Sequence, residues 1–198
     1  MWTDTTLVVA SGNHGKLKEF SNLFDDFAIE VVSQAELGVA SPAETGLSFI
    51  ENALLKARHA SAITHHPSLA DDSGLVIPAL DGAPGLYSAR YAGVNASDQD
   101  NVKLLLEHMK YLSGDNRQGC YICALALIRN ASDPDPLVVV GRWQGKIIDA
   151  PRGDSGFGYD PVFLPANLDQ TAAEIDPQVK NRLSHRGQAV VELRSLLR

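Results

Sequence analysis

Apolar residues along the chain fall into short runs and helical stripes joined by polar, glycine-rich segments. Thr6 to Ala10 is a β-branched run that predicts a buried first strand, and Ile29 to Val32 predicts a second. Between them Leu17, Phe20, Leu23 and Phe24 recur at helical spacing. Ser48-Phe49-Ile50-Glu51 reads as a capping box, starting a helix that runs to about Thr64 with Phe49, Ala53, Ala57 and Ala60 on one stripe. Leu75 to Ile77 predicts a short strand stopped by Pro78, which leaves the preceding Asp71-Asp72-Ser73-Gly74 as a turn. Ser97 to Asp100 predicts the cap of a helix running to about Leu112, burying Val102, Leu105, Leu106 and Met109. Gly119 to Ile128 and Leu137 to Ile148 are long apolar runs broken by turn residues, and they predict an antiparallel β-ribbon. Val162 to Leu164 predicts a short strand, and Ser184 caps a last helix burying Val190, Val191, Leu193, Leu196 and Leu197. Two long glycine-rich joints remain, Asp81 to Gly93 and Asp149 to Pro161.

At 198 residues this pattern fits one large domain or two small lobes. No internal repeat, heptad or low-complexity segment interrupts it. The net charge of −7 argues against a protein that coats nucleic acid, yet local cations can still hold a small anion. The start of the chain has no basic region followed by a long apolar stretch, and no window approaches the roughly 20 apolar residues of a membrane span. A reduced, cytoplasmic setting is therefore expected, with no membrane partner. Cys120 and Cys123 lie three steps apart in an apolar run, where extended geometry sends the thiols to opposite faces, so they read as core rather than as a redox or zinc pair.

Four segments carry candidate chemistry. Ser11-Gly12-Asn13-His14-Gly15-Lys16 joins a strand to a helix start, where free backbone N–H groups form a natural anion site. It is not a Walker loop, because two residues separate the glycines and Leu17 stands where Ser or Thr should follow the lysine. An ordinary strand-to-helix turn is the alternative. Asp71-Asp72 sets two repelling carboxylates side by side, a poor choice for a plain turn and a good one for a divalent cation. Phe157 and Tyr159, set between glycines, either anchor their loop or offer a base a stacking face. Lys180, His185 and Arg186 gather donors around a helix N-terminus, where the dipole disfavours cations unless an acceptor is near; a basic surface turn is the alternative. Lys56 and Arg58 have the usual fate of helix cations as their default, namely solvation.

Six segments together resemble the Ham1/RdgB-like (ITPase) family of noncanonical purine nucleoside triphosphate pyrophosphatases. They are Ser11 to Lys16; Glu44-Thr45-Gly46 with Phe49 to Ala53 and Lys56-Ala57; Ala70 to Leu75; Gly85 to Tyr91; Gly156 to Pro161; and Ser184 to Gly187. The resemblance spans nearly the whole chain. It implies an α/β fold: an elongated central mixed β-sheet flanked by helices, forming a single ITPase-like domain over residues 1–198 with two lobes and the active-site cleft between them. It implies a homodimer, Mg²⁺ as cofactor, and hydrolysis of ITP, dITP and XTP to the monophosphate and pyrophosphate.

The residue roles carried over are these. Ser11, Gly12, Asn13, His14, Gly15 and Lys16 would hold the triphosphate, with Lys56 and Ser73 adding to that grip. Glu44 and Asp72 would bind the metal. Asp72 would also serve as general base, with Asp71 in support; two neighbouring carboxylates cannot both ionise freely, so one should titrate high. Phe157 would stack on the purine within Gly158, Tyr159 and Asp160, with Asp160 accepting from N1–H. His185 and Arg186 would donate to the 6-keto oxygen, beside Lys180. Two other classes fit some of the same features. A Maf-like pyrophosphatase would act on pyrimidine or modified nucleotides, and a non-enzymatic nucleotide-binding module would have no use for Asp71-Asp72.

Overall fold

A computed structural model of the chain describes residues 6–11, 17, 20, 21, 24 and 29–197. Its scaffold is a six-stranded sheet of strands β1 (Thr6–Val9), β2 (Glu30–Ser33), β3 (Ser68–Val76), β4 (Gln118–Ile128), β5 (Leu137–Ile147) and β6 (Phe163–Pro165), in the order β2-β1-β3-β4-β5-β6. β1 pairs in parallel with β2, Thr6 opposite Glu30, and with β3, Val8 opposite Ser68. β5 pairs antiparallel with β6, Lys146 opposite Leu164. The sheet is therefore mixed. Helices α1 (Phe49–Thr64), α2 (Asp98–His108), α3 (Pro177–Leu183) and α4 (His185–Leu196) accompany it. Among the described residues no helix is long and apolar enough to cross a membrane.

The chain divides into two compact units. One comprises residues 1–72, 123–140 and 189–198; the other comprises 73–122 and 141–188. In the first, the pleat of the strands separates two packed faces. Leu7, Val9, Leu69, Cys123, Leu125 and Leu127 pack with Phe20, Phe24, Ala189 and Leu193. Val8, Ala10, Ala70 and Ile128 pack with Ala57 and Ala60 of α1. Successive strand residues thus alternate between neighbours, as a period of two requires. Small alanines on α1 allow a close approach to the strands. The second unit has its own core, built from Leu75, Ile77, Val102, Leu105, Met109, Tyr121, Trp143, Tyr159, Val162 and Phe163.

Several expectations need correcting. The Asp71–Gly74 stretch is not a turn: it lies inside β3, a nine-residue strand buried along almost its whole length. Local turn propensity yields here to the position of β3 inside the sheet, flanked by β1 and β4. The Asp81–Gly93 segment is not featureless, since Pro78–Leu80 and Gly85–Arg90 form 3₁₀ turns around it. Helix α2 ends at His108 rather than near Leu112, although Ser97 and Asp100 do form the capping box. The basic turn before Ser184 is helix α3, with Pro177 in its first turn and Asp176 as its N-cap. Helix α4 buries Ala189 and Leu193; Val191 and Leu196 are 68% and 53% exposed, so its apolar face is narrower than its composition suggests. The two cysteines are free thiols.

Candidate active site

Helix α1 and strand β3 build the first polar cluster. Asn52 and Lys56 sit four residues apart on α1 and so share a face. Lys56 Nζ donates to Asp72 Oδ1 at 2.8 Å and to Glu44 Oε1 at 3.0 Å. Asn52 Nδ2 donates to the other oxygen of Asp72 at 3.2 Å. Arg58, by contrast, is exposed. The Lys56 and Asp72 side chains are only 12% and 11% exposed, so this is a nearly dry ion pair.

The two partners do not move as an isolated pair would. Burial alone would lower the Lys56 amine, but the Asp72 carboxylate and its hydrogen bond, with Asp71 and Glu44, outweigh it and hold the amine above its ordinary value. Burial pushes the Asp72 carboxyl up, and the neighbouring Glu44 adds to this; Lys56 and Asn52 pull it down without winning. One ammonium thus bonds the carboxylates of both Glu44 and Asp72. The expected rise therefore does occur at Asp72, but its causes are burial and Glu44. Strand geometry directs Asp71 to the face that carries Leu69, away from the face shared by Ala70, Asp72 and α1.

Among the described residues no three His, Cys, Asp or Glu side chains converge as a metal-binding group. Mg²⁺ does not need such a cage, because it commonly takes one or two carboxylates and completes its shell with substrate phosphates and water. Glu44 and Asp72 offer two hard oxygen donors that already converge on one cation, the Lys56 ammonium. The residues present fit the ion.

A second cluster lies on the Gly153–Asp160 loop. Asp160 is buried; its Oδ2 accepts from Phe157 N at 2.8 Å and from Lys180 Nζ. A Cβ on Gly156, whose φ is +83°, would collide with that Asp160 oxygen and sit 2.8 Å from the Lys180 amine, so only glycine fits. The two aromatics divide the roles the sequence left open. Tyr159 is buried, and its hydroxyl donates to the Ser88 carbonyl at 2.8 Å, anchoring the loop. Phe157 is 60% exposed, with the Lys180 amine 5.1 Å from its ring centre. Gly158 N donates to Asp98 at 2.6 Å, a contact that no sequence signal distinguished from the Asp98 role in the first turn of α2. His185 is buried and stacks on Tyr121 at 4.8 Å, with rings nearly parallel. Ser184 Oγ accepts from Gly187 N at 3.1 Å, as an N-cap should, and Arg186 is in the first turn of α4.

Of the other sequence candidates, Ser11 follows β1 and its carbonyl accepts from Ser33 Oγ at 2.9 Å. Ser73 directly follows Asp72 in β3 and is half-buried. Gly12, Asn13, His14, Gly15 and Lys16 lie outside the described residues. The structure thus brings together Glu44, Lys56 and Asp72 in one unit, and Phe157, Asp160 and Lys180 in the other. Asn52 is a further candidate, which the sequence does not single out. Its signal was a polar residue next to the alanine stripe of α1.

The sequence profile of the Ham1 family matches residues 7–196. Over 192 residues the chain is 53% identical to a dITP/XTP pyrophosphatase of Photorhabdus laumondii, covering 97% of this chain and 98% of that one. It is 51% identical over 192 residues to a dITP/XTP pyrophosphatase of Escherichia coli K12, with the same coverage. The solved structure of a HAM1 protein from Coxiella burnetii is similar at a TM-score of 0.94 and 46% identity, across 100% of this chain and 98% of that one.

Proposed function

Because the chain belongs to the Ham1 family, we propose that it hydrolyses noncanonical purine nucleoside triphosphates (dITP, ITP and XTP) to the monophosphate and pyrophosphate. The observation that carries this reading is the Glu44–Lys56–Asp72 cluster, in which two carboxylates converge on one nearly buried ammonium. A polyanion with its counter-cation is the natural ligand of such a group.

The cofactor proposed is Mg²⁺, which Glu44 and Asp72 would hold and which, when bound, supplies positive charge against the triphosphate. The chain's own residues do the rest. Asp72 accepts the proton of the attacking water. The new P–O bond forms as the bond between the α- and β-phosphates breaks, and pyrophosphate leaves. Lys56 stays protonated and donates to phosphate oxygens, and Ser11 and Ser73 add hydroxyl donors. The glycine-rich stretch from Gly12 to Lys16 is assigned to the phosphates on the resemblance alone. Asp71 supports the cluster by its charge, which acts on Lys56.

Phe157 offers its exposed ring to the purine, and Gly158 and Tyr159 hold it there. Lys180, fixed by Asp160, places a charged donor beside the stacking face, and with His185 and Arg186 it suits a 6-keto acceptor. Asp160 accepts from N1–H. Adenine reverses both groups and leaves buried partners unpaired, at about 1–3 kcal/mol each. The protein is further proposed to be a cytoplasmic homodimer, which light scattering on the purified chain checks.

The test is pyrophosphate release from a panel of ITP, dITP, XTP, ATP, GTP, dTTP and UTP, with and without Mg²⁺. Turnover of ITP, dITP and XTP far above ATP and the pyrimidines is expected, and its loss on chelation. Equal turnover of ATP, or a preference for dTTP or UTP, would overturn the reading.

A further inference from the structure

Asn52 sits where a plain helix would have alanine. Its neighbours on the buried side of α1 are Ala53, Ala57 and Ala60, and it is itself 1% exposed. A buried amide costs free energy unless its groups are bonded, and asparagine is a poorer helix former than alanine. The residue therefore needs an explanation that packing does not provide.

Both ends of the amide are used. Gly46 N donates to Asn52 Oδ1 at 2.8 Å, and Asn52 Nδ2 donates to Asp72 Oδ2 at 3.2 Å. The orientation of the amide is not arbitrary. A backbone N–H is a donor, so the atom facing Gly46 must be the oxygen, and the NH₂ must then face Asp72. The contact is also sterically set: a Cβ on Gly46 would lie 2.7 Å from Asn52 Oδ1. A circuit closes. Glu44 bonds Lys56, Lys56 bonds one oxygen of Asp72, Asn52 bonds the other, and Asn52 returns through Gly46 to the loop that carries Glu44. If Asn52 merely tied down the loop, the Gly46 bond would suffice and the NH₂ would have no reason to face a carboxylate.

We infer that Asn52 is a positioning residue, which holds the carboxylate plane of Asp72 in register with the Glu44 loop through the Gly46 N–H. This rests on the reading above of Asp72 and Glu44 as groups that act on the triphosphate. Lys56 alone fixes one oxygen of Asp72 and leaves the carboxylate free to turn about that contact. The amide removes that freedom. It also links the two carboxylates mechanically, so that displacement of the loop is felt at Asp72.

Asn52→Ala, Asn52→Asp and Gly46→Ala test this. Asn52→Asp keeps the volume and the acceptor for Gly46 but turns the donor to Asp72 into a repelling carboxylate. Each single change is expected to lower kcat about 100-fold, the scale of a misplacement of about 1 Å, with KM within about threefold. The double variant Asn52→Ala with Gly46→Ala is expected to be no worse than either single change, because both break one circuit. A readout independent of turnover is the exchange rate of the Asn52 side-chain amide protons by NMR, expected to be slow in the wild type and fast in Gly46→Ala. Multiplying effects in the double variant, a rise in KM with kcat intact, or an unprotected amide in the wild type would each overturn the inference. Should Asn52→Ala not fold, Asn52→Asp and Gly46→Ala decide the matter. A wild type inactive on every purine triphosphate would instead sink the proposed function, leaving the amide exchange to judge the circuit.

Discussion

Replacing Lys56 by methionine is the sharpest probe of the first cluster. Methionine keeps the length of the stem and removes the ammonium bonded at 2.8 Å to Asp72 and at 3.0 Å to Glu44. With side-chain exposures of 12% for Lys56, 11% for Asp72 and 27% for Glu44, water can replace little of what is lost. Removing one partner of a buried pair costs about 3–5 kcal/mol, and the partial exposure of Glu44 favours the lower end. For a chain of this size, about 3 kcal/mol lowers the melting temperature by about 6–12 °C.

The pH dependence has a definite sign. In the variant, the Asp72 carboxyl has a folded-state pKa further above that of the unfolded chain, extending a rise that burial already imposes on it. Protonation then favours the folded state, so the penalty is full above the raised folded-state pKa and fades as the pH falls toward the ordinary aspartate value of 3.8. Thermal melts followed by circular dichroism between pH 5 and 8 measure this. The double variant Lys56→Met with Asp72→Asn should recover most of the loss, because a neutral pair no longer strands a charge. A Lys56→Met melting temperature within about 2 °C of the wild type at pH 8 would mean that solvent screens the cluster, and the account of a dry ion pair would fail.

Three further outcomes follow from other parts of the molecule. Phe157→Ala should raise KM for ITP by about 5- to 150-fold, the worth of one base stack, while leaving the melting temperature unchanged because the ring is 60% exposed; an unchanged KM would remove Phe157 from base binding. Arg117 is buried and donates to the carbonyls of Ile147, Met109, Leu112 and Ile148 at 2.7–3.2 Å, so Arg117→Met should cost about 2–4 kcal/mol by stranding them, as a denaturant titration would read. Hydrogen bonds from Arg129 hold the buried Asp133 carboxyl well below the usual range, so its contribution is present above the ordinary value of 3.8 and is lost as the pH falls below it. Asp133→Asn should therefore cost about 1 kcal/mol at neutral pH, given the half-exposed Arg129, and the gap to wild type should close in acid melts.

Much of the fold was legible because its signals are local. The capping box at Ser97 and the N-cap at Ser48, where Glu51 reaches Leu47 N instead of closing the box, rest on near neighbours in sequence, and the Ala53–Ala57–Ala60 stripe is a period that any helix displays. What escaped notice depends on partners distant in sequence. Nothing local to Asp71–Gly74 says that β1 and β4 flank it, and Asp, Ser and Gly in a row speak for a turn. The split between Lys56 and Arg58 is another case: two helix cations, one bonded to carboxylates from a loop and a strand, the other exposed. Phe157 and Tyr159 differ for the same reason, since the Ser88 carbonyl that holds the tyrosine lies 71 residues away.

The strand placement changes what the adjacent aspartates mean. In a turn, two neighbouring carboxylates would crowd one solvent-exposed position and share one cation. In β3 the pleat parts them, so each meets the groups of a different face. Repulsion within the pair is then not what makes it costly; the burial of each member is. A buried carboxylate persists where the fold supplies hydrogen bonds and positive charge, and for Asp72 these come from Asn52 and Lys56 of α1. They do not suffice, since the carboxyl still titrates high with a lysine 2.8 Å away. A fold selected for stability alone would remove such a group, because neutral packing in its place is commonly no worse. Its retention, with an amide spent on orienting it, is what a site needs if the carboxylate acts on the substrate.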